Sequence, residues 1–161
     1  MLTGPITVRE AVPEDIPFMR AMIWEAMLAT PTFLARYGIE KLQQLEEDYW
    51  SGWIEHPDPA FVAIDTSVQK LGAITVKPDD QDKPVGGWRI GIGVEARARG
   101  QRVGQALLES AIAFAKGNNA KYINLFVDST NTWAITLYRR VGFVEVGEEA
   151  DLIEMRILLD Q

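Results

Sequence analysis

The chain contains no cysteine, and His56 is the single histidine in 161 residues. The first absence excludes disulfides, thiolate metal sites and a cysteine nucleophile with its covalent acyl intermediate. The second excludes a multi-histidine metal centre, and no metal is expected. Positive charge is scarce as well, with sixteen Lys and Arg against twenty-three Asp and Glu and a net charge of −7. That balance argues against nucleic-acid binding, which needs a broad basic surface. Long hydrophobic runs are missing too. The most apolar early stretch, Phe18 to Leu28, is broken by Arg20 and Glu25, so no membrane partner is expected. The N-terminus lacks the basic, apolar, small-residue order of a signal peptide, which points to a cytoplasmic protein. Neither Gly-x-x-x-x-Gly-Lys-Ser/Thr nor a Gly-x-Gly-x-x-Gly turn after a strand occurs, so the common nucleotide loops are absent.

What is present suits one globular domain over residues 1–161, with 47% hydrophobic residues and no repeat or linker. Ile6 to Ala11 reads as a strand, and Pro13-Glu14-Asp15 opens a helix where proline and acids are accepted. Ile16, Met19, Ile23 and Met27 recur at helical spacing. Pro31 to Tyr37 reads as a loop, Ile39 to Trp53 as a second helix. Ala60 to Asp65, Lys70 to Val76 and Trp88 to Val94 read as strands, the last two separated by a loop over Pro78 to Gly87 whose tip should be mobile. Val103 to Lys116 is a helix, Tyr122 to Val127 a strand, and Asn131 to Arg140 a helix closed by Gly142. Phe143 to Val146 and Leu152 to Leu158 complete the pattern. The fold class is mixed α/β, a mostly antiparallel sheet of about seven strands flanked by about four helices.

The strongest local signal is Arg99-Gly100-Gln101-Arg102-Val103-Gly104, a turn between a strand and a helix. The first amides of a helix lack intrahelical partners and carry partial positive charge, so such a turn favours phosphate. Arg97, Arg99 and Arg102 add full charges. Just upstream, Gly91 and Gly93 alternate within the strand, which marks a bulge or a close approach by another backbone or a ligand. Their place beside the phosphate turn favours the ligand.

Downstream lies Asn131-Thr132-Trp133-Ala134-Ile135-Thr136-Leu137-Tyr138-Arg139-Arg140-Val141-Gly142-Phe143. Asn131 is placed to cap a helix whose Ala134, Leu137, Tyr138 and Val141 share one face. That alone describes an amphipathic helix with a core tyrosine. Together, the two segments resemble the GNAT superfamily of acyl-CoA-dependent N-acyltransferases. The later motif of that family, Asn-x-x-Ala-x-x-Leu-Tyr-x-x-x-Gly-Phe, is reproduced in full. The earlier one, Arg/Gln-x-x-Gly-x-Gly/Ala, is matched at Arg99 and Gly104, while Arg102 stands where a middle glycine is usual. That departure bears on one close backbone approach but not on the helix-end amides.

The resemblance implies transfer of an acetyl group from acetyl-CoA to a small-molecule or peptide amine, directly and in a ternary complex. In that reading the turn formed by Arg99, Gly100, Arg102, Val103, Gly104 and Gln105 holds the pyrophosphate. Backbone groups of Ile92 and Val94 hold the pantetheine arm and thioester. Asn131 contacts the arm or a water, and Tyr138 protonates the departing thiolate, as a phenol with an ordinary pKa of about 10 is able to do. Glu95 and Asp128 are the candidate bases for the amine. His56, within Glu55-His56-Pro57-Asp58-Pro59, reads as a surface residue despite its convenient titration range. Of Trp24, Phe33, Tyr37, Tyr49, Trp50 and Trp53, most are expected in the core. Glu40, Glu46, Glu47 and Asp48 either favour a cationic acceptor or form a solvated face. A homodimer is compatible with the resemblance. The alternative function is a CoA-binding regulatory or interaction module of the same fold with little catalysis.

Overall fold

The computed structural model describes residues 4–79 and 85–159. Seven strands form one sheet: β1 (Thr7–Glu10), β2 (Ala60–Ile64), β3 (Lys70–Pro78), β4 (Gly87–Val94), β5 (Tyr122–Asp128), β6 (Val144–Glu149) and β7 (Leu152–Leu158). Their spatial order is β1-β2-β3-β4-β5-β7-β6, and every neighbouring pair is antiparallel except β4 and β5. Five α-helices accompany them: α1 (Ile16–Leu28), α2 (Pro31–Tyr37), α3 (Ile39–Trp53), α4 (Val103–Gly117) and α5 (Thr132–Val141). None of the described helices is long and apolar enough to cross a membrane. Residues 80–84, at the centre of the loop expected between β3 and β4, lie outside the described residues.

The sheet carries a different set of helices on each face. On one, Leu71, Ile74 and Val76 meet Leu107, Leu108 and Ala111 of α4, and the cluster continues into Ala134 and Leu137 of α5. On the other, Val62 and Ala73 meet Met19 of α1 and Trp50 and Trp53 of α3. Strand alternation separates Ile74 and Val76 from Ala73, and the register shift between β2 and β3 at Leu71 adds that residue to the α4 face.

Helix α2 corrects the sequence reading, which placed a loop over Pro31 to Tyr37. Pro31 occupies the first helical turn, where its missing N–H costs nothing, and Gly38 ends the helix at φ +78°. Only seven residues long, α2 is below the length that holds by propensity alone. It is tied down instead, by Thr32 Oγ1 donating to Asp128 Oδ2 at 2.8 Å on β5.

The strand glycines are corrected too. The β3–β4 register runs unbroken from Gly72↔Val94 to Pro78↔Trp88, so there is no bulge. A Cβ on Gly93 would overlap the backbone carbonyl of Met22, and one on Gly91 would meet Thr75 Oγ1 at 3.2 Å and Ile23 at 3.7 Å. Gly93 thus admits the backbone of α1, the close approach by another backbone that the sequence left open, and Gly91 leaves room for Thr75 and Ile23, while both also line the cleft described below.

Candidate active site

The parallel pair β4–β5 is joined at only three positions, Gly87↔Tyr122, Trp88↔Ile123 and Arg89↔Asn124. Beyond them the strands diverge, and a cavity of about 640 Å³ opens between Ile90–Val94 on one side and Leu125–Val127 on the other. Its remaining walls are α1 and the start of α2 on one sheet face, and α5 with Arg99 on the opposite face. The cleft therefore passes through the plane of the sheet.

Which backbone groups face it follows from the pleat. Glu95 N–H donates to Leu71 O in β3 at 2.8 Å. In an antiparallel pair the bonded residues alternate, so Gly93 and Gly91 also turn their backbone groups to β3. Ile92 and Val94 turn theirs to the cleft, where β5 has moved away. Val94 O accepts from Arg99 Nε at 3.3 Å. The Arg99 guanidinium also lies 3.6 Å from Glu25 on α1 and 5.6 Å from the ring centre of Trp133 on α5.

Arg99 leads into the turn before α4. Gly100 and Arg102 both adopt positive φ, +74° and +68°, and Arg102 is the N-cap in a left-handed conformation. This explains why glycine is usual at that position. Arginine adopts the same geometry at a cost of about 1–2 kcal/mol. The first intrahelical bond is Ala106 N–H to Arg102 O at 3.0 Å, so the N–H groups of Val103, Gly104 and Gln105 precede the helical ladder. Gly104 itself is buried, and a Cβ there would stand 2.7 Å from Leu137 Cδ2. The glycine admits Leu137 of α5 against the start of α4.

On the other arm, Asn131 caps α5 by accepting from Ala134 N–H at 3.2 Å, and it lines the cleft. Tyr138 lines it as well, is 8% exposed, and packs its ring 5.8 Å from that of Phe143. Its hydroxyl makes no hydrogen bond among the described residues, and burial pushes its pKa up to about 12.

The two carboxylates singled out from sequence are not brought to this cleft. Asp128 is 2% exposed and accepts from Thr130 Oγ1 (2.6 Å), Thr130 N–H (3.0 Å) and Thr32 Oγ1 (2.8 Å). Those bonds, from Thr130 first, hold its carboxyl below the ordinary range. It is a fastener between α2 and the β5–α5 turn. Glu95 follows the end of β4, with its N–H committed to β3, and is not part of the cleft wall. His56 is exposed after α3, as expected. Among the aromatics, Trp50 and Trp53 are core and Tyr49 packs against them. Phe33 lines the cleft and Tyr37 is exposed, contrary to a mainly core assignment. None of the four α3 acids reaches the cleft, and Glu46 is held by Arg20 at 2.6 and 2.9 Å.

A diverging parallel pair, outward amides at a helix start and a buried tyrosine coincide with a family match. The acetyltransferase (GNAT) family model covers residues 20–143. The chain belongs to the GNAT acetyltransferase family. Among its relatives is a mycothiol acetyltransferase of Propionibacterium freudenreichii subsp. shermanii, 31% identical over 163 residues, covering 88% of this chain and 52% of the relative. The chain spans between 28% and 52% of the length of the mycothiol acetyltransferases it matches. Among solved structures, YncA from Salmonella typhimurium, with its cofactor acetyl-CoA, superposes with a TM-score of 0.76 at 19% identity, covering 97% and 95% of the two chains. Spermidine N-acetyltransferase from Vibrio cholerae, in complex with CoA and spermine, gives 0.69 at 21% identity over 96% and 95%. At these identities the GNAT fold is what is shared.

Proposed function

We propose that this GNAT protein transfers an acetyl group from acetyl-CoA to a primary amine by direct attack. The observation that carries the reading is the splay of β4 from β5. It leaves the backbone groups of Ile92 and the Val94 N–H facing a cleft whose wall includes Arg99, three residues before the N-cap of α4. A thioester carrying an amide-rich arm and a diphosphate finds complementary partners there, in order, in the strand and in the helix end.

The chemistry follows from the same wall. Tyr138 remains protonated at every working pH, because its value is pushed up to about 12. It is therefore a donor, never a base. Its unpartnered hydroxyl is available to a thiolate forming in the cleft. The acceptor comes from the opposite sheet face, past α1 and α2, so donor and acceptor enter by different routes.

One observation favours the non-catalytic module. Among the described residues, no carboxylate or imidazole lines the cleft. Titration calorimetry with acetyl-CoA, followed by free-thiol release over a panel of primary amines, separates the readings. Binding with thiol release that depends on an amine supports the enzyme, and binding without turnover supports the module. No binding of acetyl-CoA defeats both.

A further inference from the structure

We propose that Glu154, on β7, takes the proton from the incoming amine, with Asn124 and Arg156 as its positioning residues. The assignment rests on the acetyl-transfer reading and supplies the base that the cleft wall lacks.

Strand alternation sets the place. Ile123, Leu125 and Val127 of β5 belong to the core beneath α4 and α5, so Asn124, Phe126 and Asp128 point to the face that carries α1, α2 and α3. On that face α2 reaches the far end of the β5-β7-β6 half through Asp128 and Glu149, the latter 3.9 Å from Arg36. The next row is open. Phe126 lines the cleft yet is 54% exposed, and Glu154 is its directly opposed partner across the β5–β7 ladder. Such pairs have Cβ atoms about 4.5–5.5 Å apart, so Glu154 stands one strand from the cleft on the side from which the acceptor arrives.

The carboxylate is held in one orientation by a chain of side chains. Arg156 lies over the Tyr122 ring, 4.2 Å from its centre, and its Nε donates to Asn124 Oδ1 at 2.7 Å. That bond turns the Asn124 amide so that Nδ2 donates to Glu154 Oε2 at 2.5 Å, and Arg156 Nη2 stands 3.9 Å from the same oxygen. Oε1 makes no hydrogen bond among the described residues. It lies beside Gly147, its paired residue on β6, which has no side chain to place over it. Asp128, by contrast, is bonded on both oxygens by Thr130 and Thr32, and Glu25 lies 3.6 Å from Arg99.

In the reaction, an acceptor ammonium crossing this strip gives one proton to Glu154, directly or through one water, and the carboxylate returns it to solvent. The neutral amine nitrogen adds to the thioester carbon. As the C–S bond breaks, the nitrogen loses its second proton and the Tyr138 phenol protonates the sulfur. The phenolate recovers that second proton through water. One amide, one free thiol and one solvent proton result.

The test compares wild type with Glu154→Gln, which keeps an acceptor for Asn124 but cannot take a proton. With an amine that wild type acetylates, Glu154→Gln should lose turnover by on the order of 10²-fold or more, while acetyl-CoA affinity by calorimetry and the melting temperature stay near wild type. Its acidic limb should follow the acceptor's ionisation alone, and added formate should restore turnover in Glu154→Ala. Asn124→Ala should displace the acidic limb with a smaller loss. Turnover within a few-fold of wild type and an unchanged acidic limb in Glu154→Gln overturn the assignment and leave acetyl transfer standing. A wild type that binds acetyl-CoA but acetylates no amine defeats acetyl transfer, and this assignment with it. Should Glu154→Gln melt early, Glu154→Asp keeps the charge but withdraws it by one methylene. A lower kcat at unchanged acetyl-CoA affinity then supports the assignment, and an unchanged kcat overturns it.

Discussion

The two arms of the cleft contribute in opposite ways. On the β4 arm the groups proposed to bind belong to the backbone, and the side chains have only to leave room. Gly91 and Gly93 admit α1, and the groups facing the cleft at Ile92 and Val94 are amides and carbonyls that any residue carries. On the β5 arm the side chains matter individually. Asn131 caps α5, Tyr138 presents an unpartnered hydroxyl, Asp128 fastens α2 and Phe126 lines the cleft while half exposed. Substitutions on the first arm should therefore act through packing and fold, and those on the second through chemistry or a single bond.

The largest effect should come from Gly93→Val. Its new Cβ overlaps the backbone carbonyl of Met22, and helix backbone does not yield as a side-chain tip does. We expect a loss of about 3 kcal/mol or more, or no folded protein. A melting curve like that of wild type would show that α1 moves freely over β4, and would break the contrast between the arms.

Tyr138→Phe should leave melting temperature and acetyl-CoA affinity near wild type and lower turnover by about 10²- to 10⁴-fold. Because the phenol stays protonated up to about pH 12, the loss should be uniform with pH, without removal of a basic limb. A fall in stability with unchanged turnover would make Tyr138 a packing residue and move it to the other arm's category.

Asp128→Asn should cost about 1–3 kcal/mol, since three bonds lose their charge assistance. The folded carboxyl sits below its ordinary range, held first by Thr130. Its contribution is thus fully present above the unfolded value of about 3.9 and fades as pH falls through the folded one. Melts should show a constant gap to wild type above about pH 5, closing in stronger acid. A turnover loss exceeding the loss of fold would return Asp128 to the list of bases.

The smallest effect is a gain. Arg102→Gly removes a side chain from positive φ and should add about 1 kcal/mol, or roughly 2–4 °C. Acetyl-CoA binding should become less salt-dependent with one charge fewer. No gain in melting temperature would mean that the guanidinium offsets its own backbone strain.

Much of this was legible from residues alone, for identifiable reasons. The strands and α4 and α5 follow from local periodicity. The motif residues Asn131, Ala134, Leu137 and Tyr138 sit on one turn-and-helix unit whose spacing is itself the signal. Helix α2 was not legible, because its stability comes from Thr32 bonding to a residue ninety-six positions away. Gly91, Gly93 and Gly104 announced close approaches, but sequence did not say of what, and in each case the neighbour is another part of the chain. Asp128 showed the right chemistry at the end of the right strand, yet beside its local bonds to Thr130 it holds Thr32 of α2, a donor visible only in space. Glu154 carried no local signal at all. It matters only because β7 pairs with β5 so that it faces Phe126.

The short seam between β4 and β5 also makes the apo protein an unfinished sheet. Three residue pairs join its halves at that seam, and beyond it the backbone groups of Ile92 and the Val94 N–H have no strand to pair with. An extended arm that took up those bonds would act as an eighth strand. Folding and occupancy then become one equilibrium: acetyl-CoA at one hundred times its dissociation constant would stabilise the fold by about 2.7 kcal/mol. In a cell, the protein's lifetime would follow the level of acetyl-CoA, making abundance a record of the metabolic state that feeds the reaction.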